Sequence, residues 1–173
     1  MPEVVLESPL AGIVRLGQRV LAVDGNTCTL SEIPFIDMLN LRGDAGDTRF
    51  AQSVLAATGL HLPVRPNTAS LGSPENPGPA QLLWLGPDEW LLKLPGGQGG
   101  AVEAALRNAL AGQHSAVVQV GSGNTSLALQ GPVAADLLAR GCPLDLHPRV
   151  FKAGSLAQTH IAKAGAIVLC LEA

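Results

Sequence analysis

Hydrophobic residues along this chain fall into short runs that are separated by glycine, proline and aspartate. In residues 82–94 an apolar run is followed by Gly-Pro-Asp-Glu, and a second apolar run then starts at Trp90. Proline presets the backbone of a turn and aspartate tolerates a tight bend, so the pattern predicts two strands joined by a turn. Further apolar runs predict strands at 115–120, 125–129, 158–161 and 166–171.

Helical periodicity marks three segments between the predicted strands. The first helix begins after an N-cap residue, Asp47, and ends at Gly59. The second is amphipathic, covers residues 102–112 and follows a glycine-rich linker. The third opens with Pro132 at its first position and ends at Gly141.

The order of these elements repeats a strand–strand–helix pattern. Such repetition predicts an α+β fold of antiparallel sheets with packed helices. A length of 173 residues suits one domain, spanning 1–173. Short apolar pieces in residues 1–35 indicate strands of undefined register, and the many prolines and glycines of residues 63–80 indicate a long loop.

Composition changes this picture, because charged residues are unusually scarce. They make up 14% of the chain, against roughly 25% in ordinary globular proteins. Hydrophobic residues reach 47%, with a mean hydropathy of +0.29. No apolar run approaches the ~18 residues of a membrane helix, so the apolar excess predicts surface buried against other protein chains.

The charge distribution excludes several classes of partner. The net charge is −3 and the basic residues are scattered, which disfavours binding to nucleic acid or to an anionic membrane. The N-terminus lacks the basic start and apolar core of a secretory signal. The three cysteines are odd in number and unpatterned, as in a reducing cytoplasm, so we expect a cytoplasmic protein.

The predicted hairpin contains both tryptophans of a chain that has no tyrosine. We therefore interpret Trp84 and Trp90 as packing or interface anchors. Asp88 and Glu89 have no histidine or serine beside them in the sequence, which argues against catalysis. We interpret these two carboxylates as polar groups of the turn and of an interface rim.

A cysteine and a histidine lie close together in residues 142–148. Cys142 and His147 could form a nucleophile–base pair or supply two metal ligands. There is no Cys-x-x-Cys motif, however, and prolines flank both residues. We therefore interpret the segment as a rigid shape element, with Cys142 as a buried thiol beside Pro143 and with Asp145 in the turn. We expect no catalytic, cofactor-binding or metal-binding residue elsewhere in the chain.

Four motifs occur in an order that resembles a known family. They are Asn-Leu-Arg-Gly-Asp at 40–44, Leu-Pro…Pro-Asn at 62–67, the tryptophan hairpin at 83–91, and Gly-Cys-Pro-Leu-Asp-Leu-His-Pro at 141–148. Together they resemble the gamma subunit of the heterotetrameric bacterial sarcosine oxidases. The resemblance covers about residues 40–160 and is weak in residues 1–35.

The resemblance implies a fold similar to the folate-binding domain of the glycine-cleavage aminomethyltransferases. It also implies a complex that oxidatively demethylates sarcosine to glycine, passes the one-carbon unit to tetrahydrofolate and passes electrons to oxygen. FAD, NAD and a covalently bound FMN would belong to the alpha and beta subunits, and a zinc to the delta subunit. This chain is then expected to be a non-catalytic structural subunit without a cofactor of its own.

Two alternatives come from other functional classes. A free-standing folate or one-carbon binding protein would need aromatic stacking surface and a carboxylate facing the pterin. Aromatic residues are only 3% of the chain, and Gln119 stands where relatives commonly have an aspartate. The other alternative is a cysteine-dependent enzyme acting through Cys142 and His147.

The C-terminal strand carries one further expectation. Relatives continue past it into another strand and a helix, whereas this sequence stops at Ala173. Residues 166–171 are apolar, β-prone and uncharged, so an uncovered strand here would invite another chain. We therefore expect the isolated protein to form homo-oligomers through this strand.

Overall fold

The computed structural model describes residues 7–11, 18–23, 25–73 and 80–172. The first three strands, which precede the first helix, are β1 (Gln18–Val23), β2 (Asn26–Glu32) and β3 (Asp37–Arg42). The later strands are β4 (Ala69–Leu71), β5 (Gln81–Gly86), β6 (Glu89–Leu94), β7 (Ala116–Gln119), β8 (Leu127–Gln130), β9 (Leu156–Ile161) and β10 (Ala164–Leu169). The helices are α1 (Thr48–Thr58), α2 (Gly99–Ala109) and α3 (Ala134–Ala139), and Gly121–Gly123 forms a short 3-10 turn.

The strands pair into three antiparallel sheets. A five-stranded sheet has the order β4-β5-β6-β3-β7, a three-stranded sheet has the order β1-β2-β8, and β9 pairs with β10. Helices and antiparallel sheets therefore coexist as the repeated strand–strand–helix pattern predicts, and the expected α+β class is confirmed.

The two faces of the five-stranded sheet bury different cores, because alternate side chains of a strand point to opposite faces. On the first face, leucines of β3 and β6 pack with Trp90 and with apolar residues of α1 and α2, including Phe50 and Leu106. On the second face, Met38, Leu83 and Leu91 pack with Leu156 of β9. The sheet is thus covered by helices on one side and by the β9–β10 hairpin on the other.

Helix α1 has the two caps that the sequence predicts. The Asp47 carboxylate accepts a hydrogen bond of 2.8 Å from the Arg49 backbone N–H at the N-terminus. At the C-terminus Gly59 adopts a left-handed conformation with φ of 72°, and its N–H donates to the Leu55 carbonyl. Local sequence signals therefore determine both ends of this helix.

The other two helices differ from the sequence prediction at their starts. Helix α2 begins inside the glycine linker, because the Gly99 N–H donates a 2.7 Å hydrogen bond to the Asp37 carboxylate. A Cβ at Gly99 would lie 2.9 Å from the Asp37 Cβ, so only glycine allows this close approach. Helix α3 starts at Ala134, two residues after the proline expected at its first position.

The prediction of one continuous loop over residues 63–80 is wrong. Within it β4 pairs with β5, and Thr68 forms a bridge with Ser155. This segment is extended because its backbone polar groups form hydrogen bonds along the edge of the sheet. These partners are distant in the sequence, so the prolines of the segment do not indicate the pairing. Residues 74–79, also assigned to the loop, lie outside the described residues, as do residues 1–6 at the N-terminus.

The strands β7 and β8 are consecutive in the sequence and are separated by the glycine segment Gly121–Gly123, but they belong to different sheets. Strand β7 pairs with β3, whereas β8 pairs with β2. The glycine segment therefore carries the chain from one sheet to the other. Across the described ranges, no helix is long and apolar enough to cross a membrane.

Candidate functional site

The tryptophan hairpin is formed by β5 and β6, with Trp84 directly opposite Trp90. Trp90 is fully buried, and its indole N–H donates a 2.8 Å hydrogen bond to the Pro63 carbonyl. Its ring centroid lies 5.6 Å from that of Phe50. Trp84 is partly buried at the edge of the same core. Trp90 therefore packs inside this chain rather than against a partner.

A charged cluster surrounds the turn of this hairpin. One guanidinium, that of Arg42 on β3, lies 2.5 Å from the Asp88 carboxylate and 3.7 Å from that of Glu89. The Asn40 side-chain amide donates a 2.7 Å hydrogen bond to Glu89. No sequence pattern assigns a role to Arg42 or Asn40. The β3–β6 register, which places Arg42 opposite Glu89, brings them to the turn.

Charge pairing holds this cluster together. The hydrogen bond from Arg42 lowers the pKa of Asp88, so its carboxylate stays ionised. The same pairing raises the pKa of Arg42. Both side chains are about half exposed, at 47% for Arg42 and 58% for Asp88. The arrangement can therefore hold the turn against β3 and present a polar rim, in which one guanidinium is shared by two carboxylates.

The segment of residues 141–148 is joined to the β9–β10 hairpin at its start, where the Gly141 carbonyl accepts a 2.7 Å hydrogen bond from the Ala162 N–H. The Cys142 thiol is buried, 3.7 Å from the Thr159 hydroxyl, and Leu146 is buried as well. Pro143 and Asp145 are exposed, and the Asp145 carboxylate accepts a hydrogen bond from the His147 backbone N–H. The segment therefore alternates between buried and exposed side chains around a fixed turn.

The structure does not join Cys142 and His147 into a reactive pair. The His147 Nδ1 atom accepts a 3.1 Å hydrogen bond from the Arg149 backbone N–H, and the ring is exposed. Over the residues that the structure describes, no three histidine, cysteine or acidic side chains converge as a metal site requires.

Gln119, at the end of β7, is part of a surface network. Its amide donates a 2.6 Å hydrogen bond to the Glu103 carboxylate on α2. Glu103 also accepts a 2.9 Å hydrogen bond from Arg107, and these two donors lower the pKa of Glu103. The amide thus connects β7 to α2.

Lys93 is a further residue that the sequence did not single out. It lies half-buried on the second face of β6, and its ammonium donates a 3.0 Å hydrogen bond to the Ser126 hydroxyl. Burial lowers the pKa of Lys93. Among the described residues Lys93 forms no salt bridge with a carboxylate.

Sequence comparison connects the chain to one family. Residues 42–171 match the sarcosine oxidase gamma subunit family. The sarcosine oxidase gamma subunit of Corynebacterium sp. (strain U-96) is 34% identical over 157 residues, which are 90% of this chain and 72% of that protein. The Arthrobacter sp. subunit is 36% identical over 133 residues, 77% of this chain and 62% of that protein. The chain is thus matched to about two thirds of the length of these relatives.

Solved structures agree with the sequence match. A chain of the heterotetrameric sarcosine oxidase from Corynebacterium sp. U-96, in complex with pyrrole 2-carboxylate, superposes with a TM-score of 0.79 and 30% identity. The superposition covers 96% of this chain and 82% of that one. The glycine cleavage system aminomethyltransferase T of Bartonella henselae shares the fold, with a TM-score of 0.55 and 18% identity over 76% of this chain and 36% of that one. The chain therefore belongs to the sarcosine oxidase gamma subunit family.

Proposed function

We propose that this protein is the gamma subunit of a heterotetrameric sarcosine oxidase and acts as a structural subunit without catalytic residues. The observation that carries the proposal is the superposition of 96% of this chain on a chain of such an oxidase. The scarcity of charged residues, 14% of the sequence, supports a surface that is covered by other chains.

In this proposal the partners are alpha, beta and delta subunits in the cytoplasm. The complex would oxidatively demethylate sarcosine to glycine, with tetrahydrofolate as acceptor of the one-carbon unit and oxygen as acceptor of electrons. FAD, FMN, NAD, tetrahydrofolate and zinc would be held by the partner subunits. In this chain the carboxylates of Asp88 and Glu89 are already paired with Arg42. This pairing supports a structural role for them and leaves the binding of cofactors to the partner subunits.

The site residues have structural roles in this proposal. Trp84 and Trp90 hold the hairpin to its core, and Asp88 and Glu89 form part of a polar rim. The exposed Pro143 and Asp145 stand on a turn held by the buried Cys142, and together they present a rigid shape to a partner. A rigid surface loses little conformational entropy on binding, which favours assembly.

A free-standing folate-binding protein is not favoured. The similarity to an aminomethyltransferase, at 18% identity, concerns the fold alone. The amide of Gln119, at the position of the expected carboxylate, is hydrogen-bonded to Glu103.

Co-expression with the alpha, beta and delta chains tests the main proposal. We expect a tag on this chain to recover all four subunits together with sarcosine-dependent peroxide production. The chain purified alone should be colourless and inactive. A yellow isolated protein, peroxide production by the isolated chain, or failure to recover the other subunits would contradict the proposal.

The cysteine-dependent alternative is tested in the same complex. We expect Cys142→Ala to leave turnover unchanged, because the thiol is buried against Thr159 and is not bonded to His147. The substitution should cost about 1 kcal/mol of stability through lost packing. A fall in turnover of about a hundredfold with intact assembly would instead indicate a catalytic thiol.

A further inference from the structure

Strand β7 forms one edge of the five-stranded sheet. It pairs with β3 on one side, and within the described part of the chain no strand pairs with its other side. Residues 115–120 read Ser-Ala-Val-Val-Gln-Val and carry no charge, and Val118 is 50% exposed. An uncharged, valine-rich edge strand is the kind of segment that pairs with a further chain unless the fold prevents it.

The hydrogen-bond pattern shows which backbone groups of β7 face the open side. The Val120 N–H donates a 2.9 Å hydrogen bond to the Met38 carbonyl, one step beyond the pairing of Gln119 with Leu39. In an antiparallel pair, residues bonded to the neighbouring strand alternate with residues whose polar groups point away from it. The N–H and C=O groups of Gln119 and Val117 therefore point to the open side.

Arg107 of α2 occupies this open side. Its guanidinium Nη2 donates a 2.5 Å hydrogen bond to the Val117 carbonyl. An added strand would place a backbone N–H at about 2.9 Å from the same oxygen, along the same edge of the sheet. Because the guanidinium already lies there, an added strand has to displace it first.

Glu103 holds the guanidinium at the edge. Its Oε1 atom accepts a 2.9 Å hydrogen bond from the Arg107 Nε–H, and its Oε2 atom accepts the 2.6 Å bond from the Gln119 amide. Glu103 and Arg107 are one helical turn apart, so α2 presents both side chains to β7. We call Glu103, Arg107 and Gln119 the edge network. It is joined to β7 at two residues that point to the open side.

We propose that the edge network closes β7 against strand addition. It is an autoinhibitory contact, in which a helix side chain takes the backbone acceptor that a further strand needs. Removal of Arg107 would then make β7 a pairing edge, and in the isolated protein the strand that occupies it is β7 of a second copy of this chain. The inference concerns this chain alone and does not depend on the proposed oxidase partners.

Association of the full-length isolated chain tests the proposal. Ile167→Lys is used as the background, so that pairing through β10 does not contribute. Each copy that pairs through β7 has to break its own Arg107 bond. We therefore expect Arg107→Ala to lower the protein concentration at which dimers form, measured by light scattering, by about tenfold or more. The control is Arg49→Ala, which removes an exposed arginine of α1 and should change nothing.

Hydrogen exchange measured by NMR locates the new contact. In the Arg107→Ala dimer, the outward N–H groups of Val117 and Gln119 should become protected, because they would donate to the added strand. Unchanged association of Arg107→Ala would overturn the proposal. Association without protection of these two amides would overturn it as well, because a different surface would then be in contact.

A second variant and a stability measurement separate edge closure from loss of folding. Glu103→Gln removes the charge that holds Arg107, so we expect it to promote association in the same direction as Arg107→Ala but less strongly. Wild-type behaviour of Glu103→Gln would overturn the role of Glu103. Urea unfolding of Arg107→Ala should retain one cooperative transition, and the β3 amides should stay protected in the dimer. Loss of β3 protection would overturn the proposal, because association would then follow from unfolding.

Discussion

At the scale of single residues, Trp90 shows how one side chain joins three separate parts of the chain. It belongs to β6, its ring contacts Phe50 of α1, and its N–H is bonded to the carbonyl of Pro63. The indole is fully buried and its single polar group has a partner. Burial of a large ring without an unsatisfied donor makes this position a major contributor to stability.

Replacement of Trp90 should therefore lower the stability of the protein through two separable losses, the packing of the ring and the hydrogen bond to the Pro63 carbonyl. We expect Trp90→Ala to lower the free energy of unfolding by about 3–5 kcal/mol, through lost packing and a cavity. Trp90→Phe should cost less, about 1–3 kcal/mol, largely because the Pro63 carbonyl loses its donor. Urea unfolding measures both, with the exposed Asp88→Asn as a variant that should shift the midpoint far less. Equal midpoints for Trp90→Ala and Asp88→Asn would show that the ring is not an anchor.

Because Lys93 is partly buried, the isolated chain should become more stable as the pH rises from neutral into the alkaline range. Its pKa is lowered by burial, so between that pKa and the ordinary value of about 10.4 the unfolded chain binds more protons than the folded one. Stability then increases with pH across this window. We expect Lys93→Met to have a higher urea midpoint than wild type at neutral pH, and the difference to shrink towards pH of about 10. A difference that is constant with pH would contradict a desolvated ammonium.

At the scale of elements, the start of α2 depends on contact between sequence-distant segments. Two consecutive glycines begin the helix, but their surroundings differ. Gly99 is buried against Asp37, whereas a Cβ at Gly100 would meet nothing within 4 Å. The first glycine is thus needed for close approach and the second is not.

This contrast gives a matched pair of variants. Gly99→Ala should destabilise the protein, because the new methyl group displaces Asp37 and weakens its hydrogen bond to the helix N-terminus. Gly100→Ala should be neutral or stabilising by up to about 1 kcal/mol, since alanine is the better helix former. Thermal unfolding of the two variants measures the effect. Equal melting temperatures would mean that Asp37 moves freely to accommodate the methyl group.

At the scale of the whole molecule, the protein has few charges and a sheet edge that could accept another strand. Strand β10 pairs with β9 on one side, and within the described part of the chain no strand pairs with its other side. Its residues are uncharged, and Ile167 is 40% exposed. Unpaired backbone groups beside apolar side chains favour association with a further chain.

We therefore expect the isolated chain to self-associate through β10. Light scattering over a range of concentrations should show dimers or larger species for the wild type. Ile167→Lys places a charge on the exposed side of the strand and should shift the population towards monomers. Val64→Lys, at an exposed site away from β10, is the control and should not. A wild-type protein that is monomeric throughout would show that the edge needs no partner.

The amino-acid sequence by itself determined the features that depend on neighbouring residues. The caps of α1 are set by Asp47 and Gly59, and the tryptophan hairpin is set by its own turn and apolar runs. The ordered motifs also indicated the gamma subunit family, which the sequence match over 42–171 confirmed. These signals are readable because cap, turn and periodicity act over a few residues.

Only the tertiary structure decided which distant segments meet. It placed β7 and β8 in different sheets, paired Arg42 with Asp88, and set Gly99 against Asp37. It also exposed Phe35 on a left-handed backbone, which its sequence neighbours did not indicate. Strand register and close backbone approach result from long-range packing, in which many distant contacts must agree at once, and no local pattern specifies them.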